Sequence, residues 1–526
     1  MRVVQVAAYA PAMMVLLTWT TFCQATETPS VVCRTGVFDV REFGAKGDGR
    51  TLDTQAIQAA VDACHDAGGG RVSLAGGTFV SGTIVLKNGV HLRIEPGATL
   101  MGSPDLKDYP PKVCAFRSYA DNYTDKSLIY AEQCEDVGLE GLGRIDGQGR
   151  RFNGPYKVRP YLVRMVECRQ VTVRDVTFLD SPMWVQHYLA CDQVRIDGIT
   201  VRSQANRNND GLDIDCCWNV RISGCDIRSG DDAIVLKSTA DRSCRNVTIS
   251  HCILSSDCNA FKCGTESNGG FENITVSNCA IYDTRLAGIA LELVDGGRFE
   301  RVNISNIVMN NVRGGLFVRL GHRARPFQSE GPKPSVGTMQ GIHISNVQGD
   351  GIGPTGCSIT GLPGHPVRDV LLRDIRLRFA GGGRVEEARH TPPEEAATYP
   401  EYTMFGTLPA YGLFIRHAEG VRLDALNVGF VEREDRPPIV CHDVKDLHVC
   451  DLAAATGPLA PAALSLRNVR DASIYATSRL LPGECFLRVD GAECAGIVFR
   501  SDGPKPGLNV SLGPDVSPGA IRLVVP

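Results

Sequence analysis

Basic residues are not in excess: 55 Lys+Arg stand against 59 Asp+Glu, a formal net charge of -4, so the chain lacks the electrostatic footprint of a nucleic-acid binder. Aromatic residues are also scarce, at 6% of 526 positions, while glycine occurs 56 times. Few rings and many residues that tolerate φ > 0 argue against a helical bundle and for a turn-rich β architecture. With 43% hydrophobic and 22% charged residues, the composition carries no bias toward disorder. Long apolar runs are missing except near the N-terminus, where Met13 to Trp19 is too short to span a bilayer. Arg2 before that run and Cys23-Gln24-Ala25 after it mark residues 1–25 as a signal peptide. Thr20 stands where a lipobox has Leu, which disfavours a lipoprotein. We therefore expect a secreted or periplasmic monomer over residues 26–526, with no membrane and no nucleic-acid partner.

From residue 171 onward a short alternation of apolar and polar residues recurs. It begins at Val171, Val194, Val220, Val247, Ile274 and Val302, in steps of 23, 26, 27, 27 and 28 residues, and continues at Ile342, Val370, Val421 and Leu447. The 40-residue step to Ile342 implies an insertion. Period-2 alternation indicates strands, and this return length is too long for hairpins yet lacks a crossover helix. A coil of short parallel strands meets both conditions, which predicts an all-β parallel β-helix of single strands stacked at about 4.8 Å. Cys225, Cys252 and Cys279 share an inward slot with Val176, Ile199, Ile307 and Val347, so packing is the favoured reading of these thiols. Pairing of Cys216 with Cys217 or of Cys258 with Cys263 is left open. Asp53 followed by Ala56, Ile57, Ala60, Val61 and Cys64, ending at Gly68-Gly69-Gly70, predicts a capping helix within an N-terminal cap spanning 36–110. A Pro- and Glu-rich stretch, Gly381 to Pro409 within 377–412, predicts a long loop rimming a binding face.

Each turn carries a second strand: Trp184 to Tyr188, Gly211 to Asp215, Ala233 to Lys237, Ala260 to Gly264, Gly288 to Glu292 and Gly315 to Arg319. Their alternate positions, Asp213, Asp215, Lys237, Lys262, Glu292 and Arg319, are expected to face outward as a polar strip. At the strand heads stand Asn208-Asn209-Asp210-Gly211 and Gly230-Asp231-Asp232, an offset of 22 that sets Asp210 beside Asp232 on adjacent turns. Three carboxylates this close cannot all ionise cheaply, and a protonated acid beside a carboxylate is what glycoside cleavage uses. Asp-Asp and Asn-Asp-Gly are each ordinary turn sequences, so the register between turns carries the argument. A calcium site is the other reading of such a cluster, and we rank it second.

The two acidic motifs in register, with Phe38-Asp-Val-Arg-Glu-Phe-Gly-Ala-Lys-Gly-Asp-Gly49 and Ile145-Asp-Gly-Gln-Gly149, resemble glycoside hydrolase family 28, the polygalacturonases and rhamnogalacturonases. The resemblance runs to at least Arg319 and implies a right-handed β-helix and inverting hydrolysis of a pectic polysaccharide or oligosaccharide, without a metal or cofactor. It casts Asp231 as general acid and Asp210 with Asp232 as the groups that hold and deprotonate water. Asn208, Asp213, Lys237, Asn259, Lys262 and Glu292 are the candidate substrate-binding positions around them. Two departures stand out. Cys258-Asn259-Ala260 replaces the family's Gly-His-Gly, and Ala290-Leu291-Glu292 replaces Arg-Ile-Lys, so both basic groups are gone from their places. Lys237 or Lys262 are the substitutes for the lost charge, with a Lys262–Glu292 pair leaving the subsite near neutral. Two alternatives stay open: a polysaccharide lyase or epimerase using Ca²⁺ and a Lys base, and a non-catalytic glycan-binding solenoid. His187 reads as a packed or surface histidine, and Trp184 as either core or a sugar platform. Asn122, Asn246 and Asn273 head sequons.

Overall fold

Alternating Val and Ile at the starts of the repeats dictate how one turn meets the next. A computed structural model of the chain describes residues 36–476, 485–501 and 509–524, so the segment read as a signal peptide lies outside the described residues. The column Val171, Val194, Val220, Val247, Ile274, Val302, Ile342, Val370, Val421, Leu447 is continuous and parallel. It reaches back to Val137 and on through Ala472, Ile497 and Ile521. The fold is a parallel β-helix, its apolar files buried as one core from Val40 to Ala520.

Cys225, Cys252 and Cys279 lie in that core at 1%, 1% and 3% exposure, and every cysteine among the described residues is a free thiol. The hydrogen bond with the Cys225 thiol, aided by burial, raises Cys252 to about 12, so it packs as a small neutral hydrophobe. The disulfide pairings left open at Cys216–Cys217 and Cys258–Cys263 are absent.

Between the strand faces the chain turns sharply, and asparagine does the turning. Asn219, Asn246 and Asn273 sit at φ near +57°, a left-handed conformation that costs most side chains about 1–2 kcal/mol. Their amides repay that cost by bonding along the axis. Asn246 Nδ2 donates to Asn219 Oδ1 at 2.9 Å, and Asn273 Nδ2 donates to Asn246 Oδ1 at 2.8 Å. The sequon nitrogens of Asn246 and Asn273 are therefore engaged in a ladder, while Asn122 donates to the Tyr119 carbonyl.

The helix Thr54–Asp66 buries Ile57, Ala60, Val61 and Cys64 against the first strands. Asp53 does not cap it through its side chain, contrary to the expectation. Its carboxylate instead accepts from the Lys46 and Gly47 amides. The loop expected over 377–412 starts later, because Val367–Phe379 is still strand, so the excursion covers 380–412 between that strand and Leu413–Phe430. The expected insertion is residues 321–337, between Arg298–Leu320 and Thr338–Ile352.

Candidate active site

Parallel pairing of Leu212–Asp215 with Ile234–Ser238 aligns Leu212 with Ile234, and the Gly211 amide donates to the Asp232 carbonyl at 2.9 Å. Asp210 and Asp232 therefore head neighbouring coils, as their offset required. Asn208 enters the strand at φ +56°. Ser229 and Ser256 hydroxyls both donate to the Asp231 carbonyl at 2.6 Å, which fixes the turn that presents Asp231.

The three carboxyls meet different surroundings. Burial pushes Asp210 well above the usual carboxylate range, helped by Asp213 and Asp231, and its Oδ1 has no protein partner. Asp231, the half-buried member, is raised by burial and by the charge of Asp232. Asp232 is the exception: burial opposes its charge, but Lys262 and Lys237 outweigh burial and hold it below its ordinary value. Asn259 adds to this, its Nδ2 donating to Asp232 Oδ1 at 2.9 Å and its amide at 3.1 Å. So the residue standing in for the family's histidine clamps Asp232. Asn208 Nδ2 reaches Asp231 Oδ2 at 3.5 Å.

The polar strip is not a solvent-facing surface, and this corrects the sequence reading. Asp213, Glu292 and Arg319 are wholly buried, with Lys262 at 1% and Lys237 at 6% exposure. These side chains point away from the coil core but lie beneath loops. Lys237 Nζ stands 3.7 Å from Asp210, 3.6 Å from Asp213 and 3.6 Å from Glu266. Lys262 Nζ stands 3.6 Å from Asp232, 3.5 Å from Glu292 and 3.6 Å from Glu401. Each lysine thus has three acidic neighbours, one of them held ionised (Glu266 beside Lys237, Asp232 beside Lys262), and is itself held protonated, raised well above its ordinary value despite burial. Lys262 is in register with Ala290, so it leans along the strand to meet Glu292. The chain passes Glu292 at Gly264, φ +110°, where any Cβ would come within 2.9 Å of the Glu292 Cβ.

Trp184 is 4% exposed, so it is packed rather than a platform, and its ring lies 4.8 Å from Lys237 Nζ. His187 is packed too. Its Nε2 lies 3.2 Å from Asp215 Oδ2, and burial keeps it neutral.

Several residues of the site left no signal in the repeat. Glu401 and Tyr399 arrive from the 380–412 excursion, and the Tyr399 ring lies over Lys262 at 5.6 Å. Arg319 and Arg416 anchor that excursion, donating to the Glu394 and Glu395 carbonyls and to the Pro392 and Pro393 carbonyls. Arg323 and Arg325 come from the 321–337 insertion and pair with Asp295 and Glu266. Only the general expectation that long loops rim a solenoid face pointed to either segment. Among the described residues, the cluster that could hold a cation is Asp231, Asp232 and Cys258, whose ligand atoms lie within 4.8 Å of one another. The fit is poor: the ammonium of Lys262 already neutralises Asp232, and burial pushes the Cys258 thiol far up, away from the thiolate a metal needs.

Comparison with known proteins adds an independent line. The family model for glycosyl hydrolases family 28 matches residues 75–397. A probable polygalacturonase from Vitis vinifera is 33% identical over 236 residues, covering 41% of this chain and 48% of the relative. An exo-poly-alpha-D-galacturonosidase from Dickeya chrysanthemi is 38% identical over 120 residues, 22% of this chain and 20% of the relative. The chain thus spans half or less of the length of these curated relatives. The crystal structure of a hyperthermoactive exopolygalacturonase from Thermotoga maritima superposes with a TM-score of 0.56 at 24% identity, over 66% of this chain and 87% of that one, and shares the fold.

Proposed function

The chain belongs to glycosyl hydrolase family 28, and from that premise we propose that it hydrolyses a pectic or related polysaccharide by single displacement with inversion. The observation that carries the reading is the split between Asp231 and Asp232. Asp231 is accessible and inclined to keep its proton, as a general acid must be, and it gives that proton to the leaving glycosidic oxygen. Asp232 is held ionised by Lys262 and Asn259, and takes the proton of the attacking water. Asp210, raised by burial and with Oδ1 free of protein partners, orients that water rather than removing its proton.

Both lysines under the site are already paired with an ionised carboxylate, Lys237 with Glu266 and Lys262 with Asp232, so neither has a free charge to grip a uronate carboxylate. The sugar undergoing displacement is therefore neutral or esterified. The same pairing disfavours the lyase alternative, because a lysine held protonated is a poor base. Hydrolysis of polygalacturonate, its methyl ester and rhamnogalacturonan, with product anomers followed by NMR, tests the reading. Inverted anomers and a preference for the latter two substrates are expected. Retained configuration, or unsaturated products, overturns the mechanism.

A further inference from the structure

Asp231 also lines a cleft of about 510 Å³, together with Tyr156, Arg159, Arg207, Asn208 and Arg285, to which Asp210, Asp232 and both buried lysines do not contribute. That volume is within the range of small-ligand sites, about 300–1,000 Å³. Three arginines converge on it, and among the described residues none of them forms an ion pair with a carboxylate. This contrasts with Lys237 and Lys262, each of which has three acidic neighbours.

Arg159 is the most telling of the three. It is 3% exposed, and its guanidinium meets only neutral acceptors: the Pro182 and Arg207 carbonyls and Asn208 Oδ1, the last at 2.9 Å. Its Nε is buried with no partner at all. Arg285 donates through Nε to the Asp257 carbonyl, again a neutral group, and is otherwise exposed, as is Arg207. Burying a guanidinium among neutral acceptors, with a second cation close by, is unfavourable unless an anion completes the set. A guanidinium matches a planar carboxylate by two parallel hydrogen bonds. Tyr156, over which the Arg159 guanidinium lies at 5.2 Å, offers a partly exposed ring for the face of a sugar.

We propose that this cleft is the subsite for the leaving-group sugar, and that it takes an unesterified uronic acid whose carboxylate is bound by Arg159, Arg207 and Arg285. The side is set by chemistry. Asp231 lines the cleft and protonates the oxygen that departs with the leaving sugar, whereas the groups that handle water lie outside it. With a neutral or esterified unit over the paired lysines, the substrate alternates in charge across the scissile bond. The proposal rests on the hydrolase reading for its orientation, but the carboxylate site itself does not.

The test uses Arg207→Gln/Arg285→Gln, two exposed positions, with the thermal transition as a check on folding. Binding of a galacturonate trisaccharide and of its methyl ester is measured by calorimetry on Asp231→Asn protein with and without the arginine changes. Hydrolysis of acid and ester forms of an alternating oligosaccharide is measured on the remaining proteins. Losing two charge-assisted contacts should cut binding of the free acid by roughly 10- to 100-fold and leave the ester unchanged. The same factor is expected in kcat/KM. Equal binding of acid and ester by the unsubstituted arginine cleft, or an acid-to-ester ratio that survives the double substitution, overturns the subsite. Acid-selective binding in a protein that cleaves none of the pectic substrates would instead overturn the hydrolase reading and leave the carboxylate site standing.

Discussion

Asp231 and Asp232 are adjacent in sequence, yet their proton affinities move in opposite directions, because only Asp232 touches Lys262 and Asn259. Replacing Asp231 by Asn keeps the turn and its serine hydrogen bonds but removes the acid. Turnover of the natural polymer should fall by roughly 10²–10⁴, with a smaller loss on an aryl glycoside whose leaving group needs no proton. A well-folded Asp231→Asn protein with normal turnover would remove Asp231 from the mechanism. Glu292 gives a second prediction, read in stability. Burial outweighs Lys262 and lifts its carboxyl to about 8, from an ordinary 4.5. Between those values the folded protein holds a proton that the unfolded chain has released. The stabilisation is therefore complete below about pH 4.5 and is lost as pH rises through 8. Glu292→Gln should flatten that decline by up to about 4 kcal/mol, measured as the difference in unfolding free energy between pH 5 and pH 8. A wild type equally stable at both values would show that Lys262 keeps Glu292 ionised.

Among the elements, the corner ladder is the part most open to a simple substitution. Asn246 contributes both a left-handed turn and two amide bonds between coils, so Asn246→Ala should cost about 1–2 kcal/mol. Asn246→Gly keeps the turn at no steric cost and should lose less, which thermal unfolding of the pair will show. Equal losses would assign the whole effect to the hydrogen bonds. The strands were legible in sequence because period-2 alternation and a 23–28-residue return are both set by backbone geometry. The excursions were legible only as interruptions. Nothing local in Tyr399 or Glu401 encodes that they fold back over Lys262, since that contact depends on where Arg319 and Arg416 fasten the backbone between them. The polar strip misled for the same reason: alternation tells which side of a strand a residue takes, not what later covers it.

For the molecule as a whole, the chemistry of the acids was legible from one offset of 22 residues, because stacked coils turn a sequence interval into a distance. The cleft of three arginines was not, because Arg159, Arg207 and Arg285 come from three separate coils at unrelated positions. Stability over the described residues depends on stacked apolar files rather than on covalent links, since their cysteines are thiols. Reductant should therefore leave the thermal midpoint unchanged, and a clear fall would reveal a disulfide. The stacking also bears on how such a protein can evolve. Copying one 27-residue period, such as 247–273, adds a rung and breaks no pairing, whereas a one-residue slip inside a strand turns its apolar side outward. A copied rung between Glu292 and Arg319 would carry the anchor of the Tyr399 segment about 4.8 Å farther from the acids. The reach of the cleft is thus inherited in whole steps, and duplication or loss of a single period re-spaces the groove without touching a catalytic residue.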